Sequence, residues 1–536
     1  MPVRSRFDTH EVFNQSPPYE NVDLFASDTP LVEAVSANGG SANAAELSAF
    51  GTQWGTAEMF ALGRRANENP PKLATFDAKG FRRDTVEFHP AYHQFVTQSV
   101  AAGLHASTWT NAGTRAAAPA EVLRSARFYM AGQVETGHLC PITMTRASVA
   151  ALAAAPSLAA QVVPRITTRS YDATFRPWNE KSGMTLGMGM TEKQGGTDVR
   201  ANTTTATPAG DAYTIVGHKW FFSAPMSDAF LVLAQAPGGL TCFLMPRFRP
   251  DGSVNALRFQ RLKDKLGNRS NASSEVEFTD AFAWRVGDEG AGIRTILHVV
   301  QLTRLDCAVA SAGLIRMALV QALHHCRNRQ VFGRRLSDQP MMRAVLADLA
   351  LEVEGAVAFV MRLSRALDLA AANSREAAYT RLMTPAAKYW ICKLAPGFIF
   401  EAMECLGGNG YVEDSLLPRL FRESPVNAIW EGSGNVMCLD VLRALKDEGA
   451  ADLVASVARE AGIALPALKA NEDNARALVG YVAVLASAAA LRATAPAEVA
   501  DAYTKTRMAD RHGAIYGAAA LDDSTITSLL QRALPE

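Results

Sequence analysis

The sequence lacks an excess of charge of either sign. Its 536 residues include 53 Lys+Arg and 53 Asp+Glu, so the net charge attracts no anionic partner, and nucleic-acid binding would require a local basic patch. Cysteine is sparse and scattered, with no C-x-x-C pair. An odd, scattered set argues against both a disulfide framework and a zinc site, and a reducing cytoplasm is therefore expected. The seven residues are Cys140, Cys242, Cys307, Cys326, Cys392, Cys405 and Cys438.

Long apolar runs are missing as well. No uninterrupted run reaches the roughly 18 residues that a membrane span needs, and the N-terminal residues show no basic-then-apolar signal. A soluble protein of about three to four structural units is expected at this length.

Hydrophobic periodicity divides the chain into four predicted domains. An irregular arm leads into a helical region, a period of two then indicates a small antiparallel β domain, and helical spacing returns in an antiparallel bundle and a further alanine-rich domain. The predicted domains are 1–185, 186–288, 289–440 and 441–536.

The helices of the bundle are predicted from proline positions. No proline occurs between Gly292 and Pro340, which indicates a helix of over thirty residues. Residues 341–369 predict a second helix. Thr384 and Pro385 predict the start of a third, with threonine as N-cap and proline in the first turn.

A glycine-rich stretch precedes the β domain and reads Met-Gly-Met-Thr-Glu-Lys-Gln-Gly-Gly-Thr-Asp over residues 188–198. Gly187 and Gly189 would let the backbone approach a flat ligand closely, and Thr191 and Thr197 supply hydroxyls. An ordinary loop before a strand is the alternative interpretation.

The segment from Thr191 to Asp198 resembles Thr-Glu-Pro-x-x-Gly-Ser-Asp, the flavin-contacting signature of acyl-CoA dehydrogenases. Lys193 replaces the proline and Thr197 the serine, and this variant resembles the AidB-like branch of that family. The resemblance covers essentially the whole chain. It implies the acyl-CoA dehydrogenase fold, which is α+β and mainly α, with FAD as cofactor, an acyl-CoA substrate and a homotetramer.

Three further segments resemble flavin-binding motifs of the family. Lys219-Trp-Phe-Phe-Ser223 is similar to Lys-x-Trp-Ile-Thr, from which Trp220 is expected to shield the flavin; a plain aromatic core is the alternative. Residues 327–333 resemble Arg-x-x-Phe-Gly, in which Arg329 would bind pyrophosphate across a subunit interface; a basic cluster at a helix end is the alternative. Residues 404–411 resemble Gln-x-x-Gly-Gly-x-Gly-Tyr, with Glu404 in place of glutamine; a helix C-cap is the alternative.

Residues 429–435, Ile-Trp-Glu-Gly-Ser-Gly-Asn, resemble the segment that carries the family's catalytic base. By this match Glu431 removes the α-proton of a thioester while the flavin accepts hydride from the β-carbon. The family's other position for the base, an acid before an arginine in the long helix, is Thr303-Arg304 here. The resemblance implies these cofactor-binding residues: Met188, Gly189, Met190, Thr191, Gly196, Thr197, Trp220, Phe222, Ser223, Arg329, Phe332, Gly407, Gly408, Gly432 and Asn435.

The last predicted domain extends beyond what a minimal family member needs. In the AidB-like branch such a domain is associated with double-stranded DNA binding and with responses to alkylation damage. Its ten Lys+Arg against twelve Asp+Glu lend this little support, since DNA-binding domains are normally basic. The competing hypothesis is a metabolic dehydrogenase whose extra domain only builds the oligomer. The candidate DNA-binding residues are Arg443, Lys505, Arg507 and Arg511.

Overall fold

The computed structural model describes residues 9–466, 470–509 and 516–535. Its N-terminal part is helical, as predicted, but a two-stranded antiparallel hairpin that the sequence did not predict interrupts the helices. The helices are α1 (Thr29–Val35), α2 (Ala44–Trp54), α3 (Ala57–Glu68), α4 (Pro90–Ala101), α5 (Ala120–Val134), α6 (Leu139–Leu152) and α7 (Pro156–Ile166); the hairpin strands are β1 (Lys72–Phe76) and β2 (Arg82–Glu87).

The middle of the chain forms a seven-stranded sheet in the order β3-β6-β4-β5-β9-β7, with β8 paired to β9. Pairing of β6 with β7 closes a ring of five strands around an aromatic core that includes Phe222, Phe230 and Phe278. Most pairs are antiparallel, as predicted, but β3 and β4 each run parallel to β6. The strands are β3 (Leu186–Gly189), β4 (Thr205–Ala209), β5 (Ala212–Ser223), β6 (Ala229–Ala236), β7 (Gly239–Pro246), β8 (Leu257–Leu262) and β9 (Ser273–Val286).

The bundle follows, with the predicted long helix and one correction. The 37-residue α8 and the 30-residue α9 agree with the proline-free stretches. The third helix begins at Ser374, however, because Asn373 caps it by accepting the amide hydrogens of Arg375 and Glu376; Pro385 lies inside that helix, not at its start. The bundle elements are α8 (Gly292–Asn328), β10 (Gln330–Val331), β11 (Arg334–Arg335), α9 (Pro340–Leu369), α10 (Ser374–Cys405), α11 (Gly408–Tyr411), α12 (Leu417–Asn427) and α13 (Gly434–Ala444).

The C-terminal helices pack on the bundle instead of forming a separate core. One hydrophobic cluster runs from Tyr19 to Leu534 and includes α5, α8, α9, α10 and α15. Two helices, α8 and α15, meet the length and composition criterion for a membrane span, but 89% and 72% of their apolar windows are buried inside the fold. The last helices are α14 (Ala450–Ala461), α15 (Ala475–Thr494), α16 (Ala497–Thr504) and α17 (Asp523–Ala533).

Candidate active site

Glu431 lies in the short loop between α12 and α13 and has a left-handed backbone, with φ of +57°. Such a conformation is uncommon for a residue with a side chain and costs of order 1–3 kcal/mol unless the surroundings fix it. Gly432, at φ +103°, continues the turn without that cost. The loop therefore has to be held by neighbouring elements.

Side chains of α8 and α10 supply these contacts. The Thr303 hydroxyl donates to Glu431 Oε2 at 2.6 Å, and Arg304 Nε donates to the Glu431 carbonyl at 3.0 Å. Lys388 Nζ donates to the Gly432 carbonyl at 2.7 Å. Thr303-Arg304, the position of the base in another branch of the resembled family, thus binds both the carboxylate and the backbone of Glu431.

An apolar cluster adjoins this loop. Cys140 and Met144 of α6 and Ala224 after β5 are buried there, and half-buried Met188 and Trp430 pack against them. The Trp430 ring is oriented by its Nε1–H, which donates to Asn427 Oδ1 at 3.1 Å. These side chains make an apolar wall beside the Glu431 carboxylate, suited to a flat ring or an acyl chain.

A buried ion pair connects the two predicted flavin motifs of the β domain. Lys219 Nζ lies 2.8 Å from Glu192 Oε1, and both side chains are fully buried. Burial opposes ionisation of Glu192, but Lys219 outweighs it and lowers the Glu192 pKa to about 2. Sequence reasoning missed this pair, although an acid in one predicted flavin motif and a lysine in the other were a signal for it.

The strand β5 contains a bulge that corrects one prediction. Lys219 pairs with Val276 and Phe222 with Ser274, so Trp220 and Phe221 both oppose Glu275 and leave the strand on its outer face. The Phe222 ring is fully buried among core aromatics, and its side chain cannot contact a cofactor as predicted.

The motif's tryptophan position falls on a different residue from the one expected. When Lys219 and Ser223 are matched to Lys-x-Trp-Ile-Thr, the third position is Phe221, not Trp220. Phe221 is 52% exposed. Lys263 Nζ lies closer to the Trp220 ring, 3.2 Å from its centroid, than to the Phe221 ring, at 4.9 Å. Phe221 is therefore a candidate flavin contact that sequence reasoning overlooked.

The glycines of β3 have a different role from the one expected. A Cβ on Gly189 would lie 2.6 Å from the Phe222 ring, and one on Gly187 would lie 2.5 Å from Phe230. Both glycines are thus required by the aromatic core beneath the strand. The half-buried side chains of Met188, Met190 and Thr191 are placed by this close packing.

The loop after β3 lies beside Trp220, whereas Ser223 lies beside Gly187 at the start of β3. Gly196 and Thr197 are exposed, and a Cβ on Gly196 would overlap the Thr191 hydroxyl, so the loop folds back on that residue. Trp220 N donates to the Thr191 carbonyl at 2.8 Å. Ser223 Oγ lies 3.1 Å from Ser273 Oγ.

The remaining predicted cofactor residues lie at the ends of the bundle helices, where all but the half-buried Arg329 are exposed. Phe332 is 95% exposed, and a Cβ on Gly407 or Gly408 would meet nothing within 4 Å. Arg329 Nη1 donates to the carbonyl of Asn14 in the N-terminal arm at 2.6 Å. Asn435 is exposed in the first turn of α13.

Of the predicted DNA-binding residues, the structure contradicts one. The Arg507 side chain is 2% exposed and pairs with Asp348 and Glu352 of α9, so it is not available to DNA. Arg443 and Lys505 are exposed. Arg511 lies outside the described residues.

Comparison with known families agrees with this geometry. The models that match are "Adaptive response protein AidB N-terminal domain" over 14–173, "Acyl-CoA dehydrogenase, middle domain" over 187–281 and "Acyl-CoA dehydrogenase, C-terminal domain" over 290–446. The chain belongs to the acyl-CoA dehydrogenase family and is an oxidoreductase of that family, whose members depend on FAD.

Within the family, the chain is homologous to the AidB proteins. It is 52% identical over 450 residues to AidB of Escherichia coli (strain K12), covering 83% of this chain and 82% of the relative. It is 32% identical over 415 residues to acyl-CoA dehydrogenase family member 11 of Caenorhabditis elegans, covering 75% and 66%. The crystal structure of Caenorhabditis elegans ACDH-11 in complex with C11-CoA matches with a TM-score of 0.84 at 25% identity, over 98% of this chain and 97% of that one.

Proposed function

We propose that the protein dehydrogenates an acyl-CoA, with Glu431 removing the α-proton. The supporting observation is the Glu431 carboxylate, held by Thr303 at 2.6 Å beside the apolar wall of Met144, Met188 and Trp430. A positioned carboxylate is suited to take a weakly acidic proton, provided that the thioester is held against it.

The residues present fit FAD. The outer face of the β domain offers the half-exposed Phe221 ring and the side chain of Met188, with the hydroxyls of Thr191 and Ser223 nearby. When bound, FAD supplies the acceptor for the hydride of the substrate β-carbon. The protein's own part is to bind and orient both partners and to hold the removed proton on Glu431.

The reaction is tested by anaerobic titration of the purified flavoprotein with short, branched and long acyl-CoAs. The wild type should bleach with one chain class, and Glu431→Gln should keep its flavin but not bleach. Glu413→Gln makes the same change in an exposed acid that is ion-paired with Arg422 and should bleach like the wild type. Bleaching of Glu431→Gln at the wild-type rate would disprove the assignment of the base.

The proposal includes a homotetramer in the cytoplasm. Large apolar side chains are exposed at one group of helix ends, with Phe332 at 95%, Met341 at 85% and Tyr411 at 80%. Isolated exposed apolar residues are common, but contiguous ones mark interfaces. All seven cysteines are free and buried, in agreement with a reducing compartment. A monomer in light scattering at micromolar concentration would contradict the tetramer.

The finer part of the proposal is binding of double-stranded DNA in a response to alkylation damage, through Arg443 and Lys446. It is supported by the homology to AidB and by the exposure of both side chains. Among the described residues no carboxylate lies within 4 Å of either cation, so both charges are available to phosphates. Burial of Arg507 favours the metabolic alternative, a dehydrogenase whose extra domain only builds the oligomer.

Retention of duplex DNA at increasing salt separates the two hypotheses. Arg443→Ala/Lys446→Ala should weaken binding and lower the salt slope by about two, because each of the two side chains neutralises about one phosphate. Arg492→Ala is the control because its guanidinium is already ion-paired with Asp501 at 2.5 Å. No retention by the wild type at low salt would leave the metabolic alternative.

A further inference from the structure

Lys388 is a buried cation without a counter-ion in contact. It lies on α10, is 1% exposed, and its Nζ donates to the Gly432 carbonyl at 2.7 Å. Among the described residues no carboxylate lies within 4 Å of this ammonium. A buried charge without a partner is costly, so its place beside the Glu431 loop calls for an explanation.

The charged and titratable neighbours of Lys388 are either neutral or already paired. Cys307 of α8 and Cys392 of α10 lie nearby, and burial raises the pKa of both thiols, so they are uncharged. Arg304 of α8 faces the same loop, but its charge is compensated by Asp440 of α13 at 2.6 Å. Gly432, to which Lys388 binds, directly follows Glu431.

Two cations therefore hold two successive carbonyl groups of one strained turn. Arg304 binds the carbonyl of Glu431 and Lys388 binds that of Gly432, while Glu431 keeps its left-handed φ of +57°. Hydrogen bonds to charged donors are stronger than neutral ones. Loss of either donor would let the turn relax toward a commoner backbone conformation and move the carboxylate.

We propose that Lys388 is a positioning residue for the catalytic base: it binds the Gly432 carbonyl and thereby keeps the Glu431 carboxylate in place for proton abstraction. This inference rests on the proposed function. The proton still moves from the substrate α-carbon to Glu431. Lys388 acts on Glu431 through the backbone of the turn.

Three variants test this role. Lys388→Met removes the charge and the hydrogen bond, whereas Lys388→Gln removes the charge but keeps a donor. Lys393→Met is the matched control on the exposed side of α10. In Lys388→Met, kcat should fall about 10- to 100-fold with KM within about twofold. Lys388→Gln should lose less rate. In Lys388→Met the backbone of Glu431 should leave its left-handed conformation, because the turn loses one of its two charged donors.

The Glu431 backbone conformation is read from crystal structures of the wild type and of Lys388→Met, without any substrate. It therefore tests Lys388 even if no acyl-CoA reduces the wild type, a result that would refute the proposed function alone. In an active protein, Lys388→Met should cause no further loss in the Glu431→Gln background. An unchanged Glu431 backbone conformation in Lys388→Met would overturn the inference, and so would failure of both Lys388 variants to retain flavin, since Lys388 would then be structural.

Discussion

Replacement of Arg507 by alanine should destabilise the protein without affecting its retention of duplex DNA. Arg507 Nε lies 3.1 Å from Glu352 Oε2 and its Nη2 lies 2.5 Å from Asp348 Oδ1, with all three side chains buried. Removing the guanidinium leaves two buried carboxylates, of which Asp348 keeps the Gly517 amide as a donor at 2.8 Å. Breaking a buried pair from one side typically costs about 3–5 kcal/mol.

The assay is thermal unfolding of Arg507→Ala beside Lys505→Ala. Lys505 is exposed in the same short segment, so its removal should change stability by less than about 0.5 kcal/mol. Addition of Asp348→Asn and Glu352→Gln to Arg507→Ala should recover part of the stability, because the unpaired charges disappear. Equal stability of the two single variants, with duplex DNA retention abolished only in Arg507→Ala, would refute this reasoning.

Three further outcomes are expected. Gly189→Ala should lower stability by about 1–3 kcal/mol in thermal unfolding, because its Cβ would meet the Phe222 ring at 2.6 Å; wild-type stability would mean that the strand moves freely. Phe221→Ala should raise the Kd for FAD about tenfold, or about 1.4 kcal/mol, by removal of an exposed ring; an unchanged Kd would exclude Phe221 from the site. Burial opposes ionisation of Glu121, but Arg146 and Arg115 outweigh it and lower its pKa from 4.5 to about 2. This stabilisation is present above pH 4.5 and is lost as pH falls toward 2, so the melting temperature should fall in that window, less steeply in Glu121→Gln.

Long periodic segments are predictable from sequence because their spacing alone selects the element. The helix α8 follows from a long stretch without proline, and the strands β6 and β7 follow from apolar runs between turn residues. The start of α10 does not follow in this way, because Pro385 resembles a first-turn proline whereas the residue that caps the helix is Asn373, three turns before it. Proline inside a long packed helix costs energy that the surrounding bundle offsets.

The site is predictable where a motif fixes its residues and unpredictable where tertiary contacts decide. The bulge in β5 places two successive side chains, Trp220 and Phe221, on the outer face of the sheet. No periodic pattern in the sequence predicts this bulge. Arg507 resembles a surface cation in the sequence because its partners lie on α9, more than 150 residues earlier. The roles of Lys388 and Thr303 are evident only from their hydrogen bonds to the Glu431 loop.

The buried acids of α9 also set the order in which this chain can complete its fold during synthesis. Asp348 pairs with Arg507, which is 159 residues downstream, and Glu354 pairs with Arg532, which is 178 residues downstream. At typical rates of translation the delay is on the order of ten seconds or more. Arg532 also binds Glu33 of α1, so the last helix joins the first helix to the centre of the bundle. Until Arg532 is synthesised, Glu33 and Glu354 therefore lack the cation that pairs with both of them in the fold.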